Sequence, residues 1–278
     1  MSNAGATVIA TAAVVEAAHE PFVLQDVELD RVRSNEVLVE IAAVGLCHTD
    51  LGARAGAFPT PLPAVLGHEG AGTVLEAGDQ VTHVAVGDRV ALSFDSCGGC
   101  SSCTSGHTSY CHEFLARNFG GTRLDGSTAF TRHGERLGSH FFGQSSFATE
   151  TIVPARSAVK VEADVPFEVL APFGCGVQTG AGAVMRSLRP PAGSSIAVFG
   201  AGGVGMSAVL AAGIVGCSTI IAVDVSPERL AAARDLGATE TIDAGAADPV
   251  EEIMRRTGAG VDFTIECSGV PAVLRQAV

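Results

Sequence analysis

Up to about Pro154 the chain alternates short apolar, β-branched runs with turns rich in Gly, Pro and Asp; residues 36–44 and 89–94 are examples. Runs of that length between such turns predict strands, so the first part reads as β-rich. From about Cys175 the texture changes. Residues 176–188 read as helical, 195–199 as an apolar strand, 204–215 as a helix and 219–223 as a second strand. Ser226 offers an N-cap with Pro227 at the first helical position, opening a helix to Leu236. Strand 240–242, helix 248–256 and strand 261–266 follow. Strand and helix in alternation predict parallel βαβ units. No internal repeat or low-complexity linker intervenes, which divides the chain into domains 1–174 and 175–278 with a helix at the junction. The fold class is α/β, a β-rich domain followed by a doubly wound parallel sheet.

Two apolar stretches invite other readings. Residues 190–223 carry no charge, as a membrane span would, but six glycines between Gly200 and Gly216 interrupt them, and strand, turn and helix account for them without lipid. The first twenty residues are apolar yet lack the basic start of a secretory signal, and read as a first strand. Length adds little: 278 residues suit about two domains. Charge excludes more. Thirty acidic against 17 basic residues give a net charge of -13, which speaks against nucleic acid or an anionic membrane as partner. Lys160 is the single lysine and sits between valines, so a phosphate-binding Gly-Lys-Ser/Thr loop is excluded. Tyr110 is followed four positions on by Phe114, which removes the Tyr/Lys pair of short-chain dehydrogenases. A reducing cytoplasm is the expected setting, and it turns the eight cysteines toward metal.

Cys97, Cys100, Cys103 and Cys111 are spaced C-x2-C-x2-C-x7-C. Four thiolates so close in sequence converge on a tetrahedral Zn2+ without long-range help, and with no open position the zinc is structural. An iron–sulfur cluster is the chemical rival, but the fourth cysteine comes late and no proline follows it. A second set is dispersed. Gly67-His68-Glu69 opens a G-H-E-x2-G-x5-G-x2-V run, Cys47 precedes it in Gly45-Leu46-Cys47-His48-Thr49-Asp50, and Cys175 follows between Gly174 and Gly176. Taken singly, a buried cysteine or histidine is more often a core residue. Together they form a Cys2His set with a free fourth position, the form catalysis needs. Strand 195–199 runs into Gly200-Ala201-Gly202-Gly203-Val204-Gly205 and then a helix, the arrangement that cradles a dinucleotide pyrophosphate. Asp224 ends the next strand, where a carboxylate binds the adenosine ribose and repels a 2′-phosphate, favouring NAD.

These motifs resemble those of the zinc-containing medium-chain alcohol dehydrogenases, in which a GroES-like catalytic domain precedes a Rossmann domain. The resemblance runs from about residue 10 to the end. It implies two zinc ions per chain, one catalytic on Cys47, His68 and Cys175, with Glu69 beside the metal as an occasional ligand, and one structural. It also implies that Asp50 orients His68, that Thr49 takes the substrate proton, and that Thr179 and Val204 flank the nicotinamide. Arg229 matches a residue touching the same ribose as Asp224, and His48 a pyrophosphate-binding position usually held by Arg. Gly52 stands where relatives that relay the proton carry a histidine, so the relay ends differently, in water or at His48. The segments 174–185 and 47–51 resemble the aryl-alcohol dehydrogenases most, with Phe94 lining an apolar pocket, which implies oxidation of a primary aryl or allylic alcohol to the aldehyde. A thiol-adduct formaldehyde dehydrogenase shares the scaffold. The partner is then a small alcohol or aldehyde, with homo-oligomerisation in the intact family form. His19, His83, His107, His112, His133 and His140 read as ordinary surface or loop residues. A six-stranded Rossmann sheet needs two more βα units than Val278 leaves room for, so a zinc- and nucleotide-binding piece without catalysis is the alternative of another class.

Overall fold

The computed structural model describes residues 8–278. The first seven residues of the predicted opening strand lie outside them. The chain divides into two compact units, one ending at Cys175 and the other Gly176–Val278.

Among the described residues the first unit holds ten strands: β1 (Val8–Val15), β2 (Val23–Leu29), β3 (Glu36–Val44), β4 (Ala64–Val65), β5 (Gly70–Ala77), β6 (Arg89–Leu92), β7 (Phe130–Arg132), β8 (Glu135–Leu137), β9 (Glu150–Pro154) and β10 (Ala158–Lys160). They form two five-stranded sheets, ordered β4-β1-β2-β7-β8 and β10-β6-β5-β3-β9. Every named pairing within them is antiparallel, so one face of each strand can be buried and the other wet. Strand β1 shows this period of two: Ala10, Ala12 and Val14 are buried with Val27, Leu29 and Phe130. A second core gathers Val37, Val39, Val74, Val90 and Leu92. Four short helices fill the connections: α1 (His48–Arg54), α2 (Ser101–Thr104), α3 (Phe114–Phe119) and α4 (Phe167–Leu170).

The second unit alternates as predicted: α5 (Gly176–Gly182), β11 (Ser195–Phe199), α6 (Gly203–Ile214), β12 (Thr219–Asp224), α7 (Pro227–Asp235), β13 (Glu240–Asp243), α8 (Pro249–Thr257), β14 (Phe263–Glu266) and α9 (Pro271–Gln276). Helix α5 widens into a π-helical turn over Ala183–Leu188, within the segment read as one helix. The strands are parallel in the order β13-β12-β11-β14, which is half of a doubly wound sheet. Alternate residues of β11 serve opposite cores. Ile196 and Val198 pack on one face with Ala208, Val209 and Ala212 of α6, and Ala197 and Phe199 on the other with Ile221 and Ile242. Burial on both faces is why the strand residues 196–199 and 220–223 carry no charge; no helix among the described residues is long and apolar enough to cross a membrane. Ser226 caps α7 by accepting from the Arg229 N–H, and Asp248 caps α8 from Val250 and Glu251.

One expectation is corrected. His140 is 4% exposed and not a surface residue. Its backbone is left-handed, with φ 59°, as is that of Phe142, Gly143 and Ser145. This twisted run turns the imidazole inward, where Nδ1 lies 2.8 Å from Ser139 Oγ and Nε2 3.8 Å from Glu36 Oε1. Left-handed conformations at non-glycine residues leave no mark in a polarity pattern. His83, which meets the Ala155 carbonyl at 3.0 Å, is exposed, as are His19, His107, His112 and His133.

Candidate metal and cofactor sites

Helix α1 positions the first donors. Cys47 is its N-cap: the sulfur accepts from the Thr49 N–H at 3.5 Å, while Asp50 Oδ2 accepts the Cys47 N–H at 3.0 Å. This is a reciprocal capping box with sulfur in place of the usual hydroxyl. The other oxygen of the same carboxylate takes the Gly67 N–H at 3.1 Å and faces His68 Nδ1 at 2.8 Å. Asp50 is 0% exposed, so one buried carboxylate ties the helix carrying Cys47 to the loop between β4 and β5 carrying His68. Cys175 arrives from the end of the unit, after a 3-10 turn over Ala171–Gly174.

The donor atoms of Cys47, His68, Glu69 and Cys175 all lie within 4.8 Å of one another. The two sulfurs are 4.0 Å apart and His68 Nε2 is 3.2 Å from Cys175 Sγ. A tetrahedral metal with sulfur arms of about 2.3 Å requires sulfur–sulfur edges of about 3.8 Å, and nitrogen–sulfur edges of about 3.5 Å. The donor set therefore fits zinc. The electrostatics agree. Cys175, then His68 and Thr49, draw the Cys47 thiol down to about 3 against burial, whereas the adjacent Cys47 sulfur and burial push Cys175 up. Burial opposes a charged imidazole at His68, but Asp50 and the Cys47 sulfur outweigh it and raise the group to about 9. The Cys47 thiolate and the buried Asp50 carboxylate make a negative centre that attracts positive charge, which suits a dication in place of protons. Thr49 Oγ1 stands 3.7 Å from Cys47 Sγ. Exposed His48 follows Cys47 at the first position of the helix. A Cβ at Gly52 would come within 2.7 Å of Phe58 Cε2, so a relay histidine could enter there only if that ring moved.

Aromatic rings form a wall of which the sequence marks only Phe94. Phe142 stacks on the His68 imidazole at 4.5 Å and 26°, Phe114 meets Phe142 at 6.4 Å, and half-buried Phe94 meets Phe114 at 5.7 Å. Phe94 carried a signal through its family position; Phe114 and Phe142 carried none, since only folding brings them near His68.

Cys97, Cys100, Cys103 and Cys111 form the second cluster within 4.8 Å, and all eight cysteines are free thiols. Cys97 and Cys103 sulfurs are 3.8 Å apart, the edge a tetrahedral zinc requires. Gly99 and Cys100 N–H groups donate to Cys97 Sγ at 3.4 and 3.3 Å, and the Cys97 N–H to Cys111 Sγ at 3.2 Å. Backbone N–H groups of His112 and Cys103 draw the Cys100 thiol down to about 6. His112 Nε2 reaches Ser101 Oγ at 3.4 Å at the edge of this lobe.

In the second unit Gly202 is the N-cap of α6, and Val204 and Gly205 lie in its first turn. Gly200 has φ +92°, and a Cβ at Gly205 would run into the Gly200 carbonyl oxygen, whereas Gly202 and Gly203 face open space. A chain that turns this tightly into a helix N-terminus, with open space at Gly202 and Gly203, suits a pyrophosphate. Asp224 is brought against the turn: Oδ2 accepts from Ala201 N–H at 2.7 Å and Oδ1 from Ser226 N–H at 2.9 Å. Arg229 Nη1 lies 3.8 Å from Asp224 Oδ2, and Thr179 is exposed on α5.

Known proteins agree with this assembly. The alcohol dehydrogenase GroES-like domain family matches residues 33–163 and the zinc-binding dehydrogenase family residues 203–278. The chain is 45% identical over 271 residues to the geraniol dehydrogenase of Castellaniella defragrans, spanning 97% of this chain and 72% of that one. The crystal structure of benzyl alcohol dehydrogenase from Acinetobacter calcoaceticus superposes with a TM-score of 0.92 at 45% identity, over 98% of this chain and 74% of that one. An alcohol dehydrogenase zinc-binding domain protein from Burkholderia ambifaria superposes with a TM-score of 0.95 at 52% identity, over 98% and 74%. This chain therefore belongs to the zinc-containing medium-chain alcohol dehydrogenases, oxidoreductases that act on small-molecule alcohols with zinc and a nicotinamide cofactor.

Proposed function

We propose that the chain catalyses NAD-linked, reversible oxidation of a primary alcohol whose carbinol adjoins a π-system, benzylic or allylic, to the aldehyde. The convergence of Cys47, His68 and Cys175, from segments far apart in sequence, beside the Phe142 and Phe114 rings carries this reading. Two zinc ions are held, one by these residues with Glu69 in reach and one by Cys97, Cys100, Cys103 and Cys111. Bound zinc supplies Lewis acidity toward an alcohol oxygen, and bound nicotinamide supplies a hydride acceptor. The chain does the rest. Asp50 accepts from His68 Nδ1, which leaves Nε2 as the donor atom facing the two sulfurs. Thr49 holds a hydroxyl beside Cys47 and takes the proton leaving the alcohol; with Gly52 covered by Phe58, the proton passes to water or to exposed His48.

The apolar rings disfavour polyols, and the names of the two relatives, a geraniol and a benzyl alcohol dehydrogenase, support an allylic or benzylic substrate. For the cofactor, Val204 and Thr179 flank the nicotinamide and His48 meets the pyrophosphate. Each oxygen of Asp224 already accepts one backbone N–H and keeps a lone pair for a ribose hydroxyl, where a 2′-phosphate would be repelled. Arg229 tempers that repulsion. The test is NADH formation by the zinc-loaded chain with benzyl alcohol, geraniol, ethanol and formaldehyde plus thiol. Turnover of the first two above ethanol is the expected result. Turnover confined to the thiol adduct would replace the substrate assignment, and zinc binding without any turnover would replace the catalytic one.

A further inference from the structure

Residues 65–70 carry His68 and Glu69, and a second segment, 144–147, runs alongside and satisfies their backbone. Ser145 Oγ donates to the Val65 carbonyl at 2.6 Å, Phe147 N–H to Leu66 at 3.0 Å and Ser146 N–H to Gly67 at 2.9 Å. Gly67 has φ +92°, and a Cβ there would strike Phe147, so the two segments are in intimate contact. Gln144 then closes the row with its side chain. Its Nε2 donates to the His68 carbonyl at 2.9 Å, and its Oε1 accepts from the Gly70 N–H at 3.1 Å and from Ser146 Oγ at 3.0 Å. The residue is 0% exposed. Its own carbonyl is held by the Thr151 hydroxyl. The surrounding backbone is left-handed at His140, Phe142 and Ser145, a conformation disfavoured for side-chain-bearing residues and sustained only where the surroundings enforce it. The same run delivers Phe142 to the face of the His68 ring.

We propose that Gln144 is a positioning residue of the Cys47–His68–Cys175 site. Its amide clamps the peptides on both sides of Glu69 and so sets where the His68 imidazole and the Glu69 carboxylate stand relative to the two sulfurs. Asp50 fixes the ring at Nδ1 and Gln144 fixes the backbone that carries the ring; a leucine would fill the same volume but leave the His68 carbonyl and Gly70 N–H buried without partners. The inference rests on the zinc reading above.

The test compares cobalt-loaded parent, Gln144→Leu and Gln144→Glu chains by chelator competition and visible absorption, which separates the mixed sulfur–nitrogen site from the four-sulfur lobe. Partners that orient metal ligands are typically worth about 10–100-fold in affinity. Gln144→Leu is expected to lose metal affinity at the Cys47–His68–Cys175 site by about that factor, with shifted d–d bands and an unchanged four-sulfur lobe. Gln144→Glu keeps an acceptor for Gly70 but no donor for His68, and falls between; it also decides the matter if the leucine variant does not fold. Parental affinity and spectrum in both variants would overturn the clamp, as would an equal loss at both sites, which marks general destabilisation. A parent that takes no metal on Cys47, His68 and Cys175 would instead overturn the zinc reading itself.

Discussion

Two cysteine sites in one folding unit are built on opposite plans. The end residues of the lobe, Cys97 and Cys111, are only 14 positions apart, and its sulfurs are held by N–H groups of the same loop. Cys47 and Cys175 are 128 positions apart and are assembled with His68 through Asp50. A loop that closes upon itself can saturate a metal and stabilise what surrounds it. A site drawn from three segments can leave one position open, since no single loop surrounds it. Orientation then has to come from elsewhere, and here a buried carboxylate and a stacked phenylalanine supply it. On the function proposed above, the local cluster would contribute stability and the dispersed one reactivity.

Ligand removal breaks the comparison most sharply. Cys175→Ala is expected to lower kcat/KM by more than about a thousandfold with little change in Tm, read by NADH formation beside a thermal melt. If turnover survives, the dispersed set is not the reactive one. The next effect tests what else stabilises the unit. Arg123, on the chain returning from the lobe, meets Glu36 of β3 at 2.6 and 2.9 Å. Burial raises the Glu36 carboxyl, but His140 and Arg123 outweigh it and hold the group at about 2. A carboxyl lowered on folding stabilises above its unfolded pKa and loses that contribution as pH falls toward the folded value. The pair should therefore contribute about 3 kcal/mol above pH ~5 and progressively less down to pH ~2. Melting parent and Glu36→Gln side by side should show a gap that narrows on acidification; a gap independent of pH would contradict the assignment.

Cys103→Ser is the mirror image of the Cys175 change. It should cost about 2–3 kcal/mol, roughly 5–10 °C in Tm, with turnover per folded molecule retained. Loss of turnover at unchanged Tm would reverse the roles of the two clusters. The smallest effect lies in the second unit, to which neither cluster belongs. Asp224→Ser should lower the NAD-to-NADP ratio of kcat/KM by about tenfold, and an unchanged ratio would remove Asp224 from cofactor selection.

Motif legibility followed the same division. The 97–111 cysteines were readable because their spacing alone brings them together, and the Gly200–Gly205 turn because strand, glycines and helix are contiguous. His68, Cys47 and Cys175 were readable only jointly, through a family resemblance that supplies the long-range pairing. Phe142 and Gln144 left no trace: they lie 74 or more positions from the loop they serve, and their approach depends on left-handed backbone at ordinary residues. The inward turn of His140 escapes the sequence for the same reason.

The sequence by itself determined the β-rich and βαβ textures, the glycine turn, the helix cap at Ser226, and the four-cysteine lobe. These are properties of near neighbours, governed by backbone preference, hydrophobic period and loop closure over short distances. Tertiary structure alone decided the rest: that Asp50 serves Cys47, Gly67 and His68 with one carboxylate, that Phe58 covers Gly52, and that Gln144 sits beneath His68. Each depends on segments brought together by the burial of two sheets, and hydrophobic burial has no direction of its own. The polar groups it brings together must be satisfied by whichever partners the packing delivers.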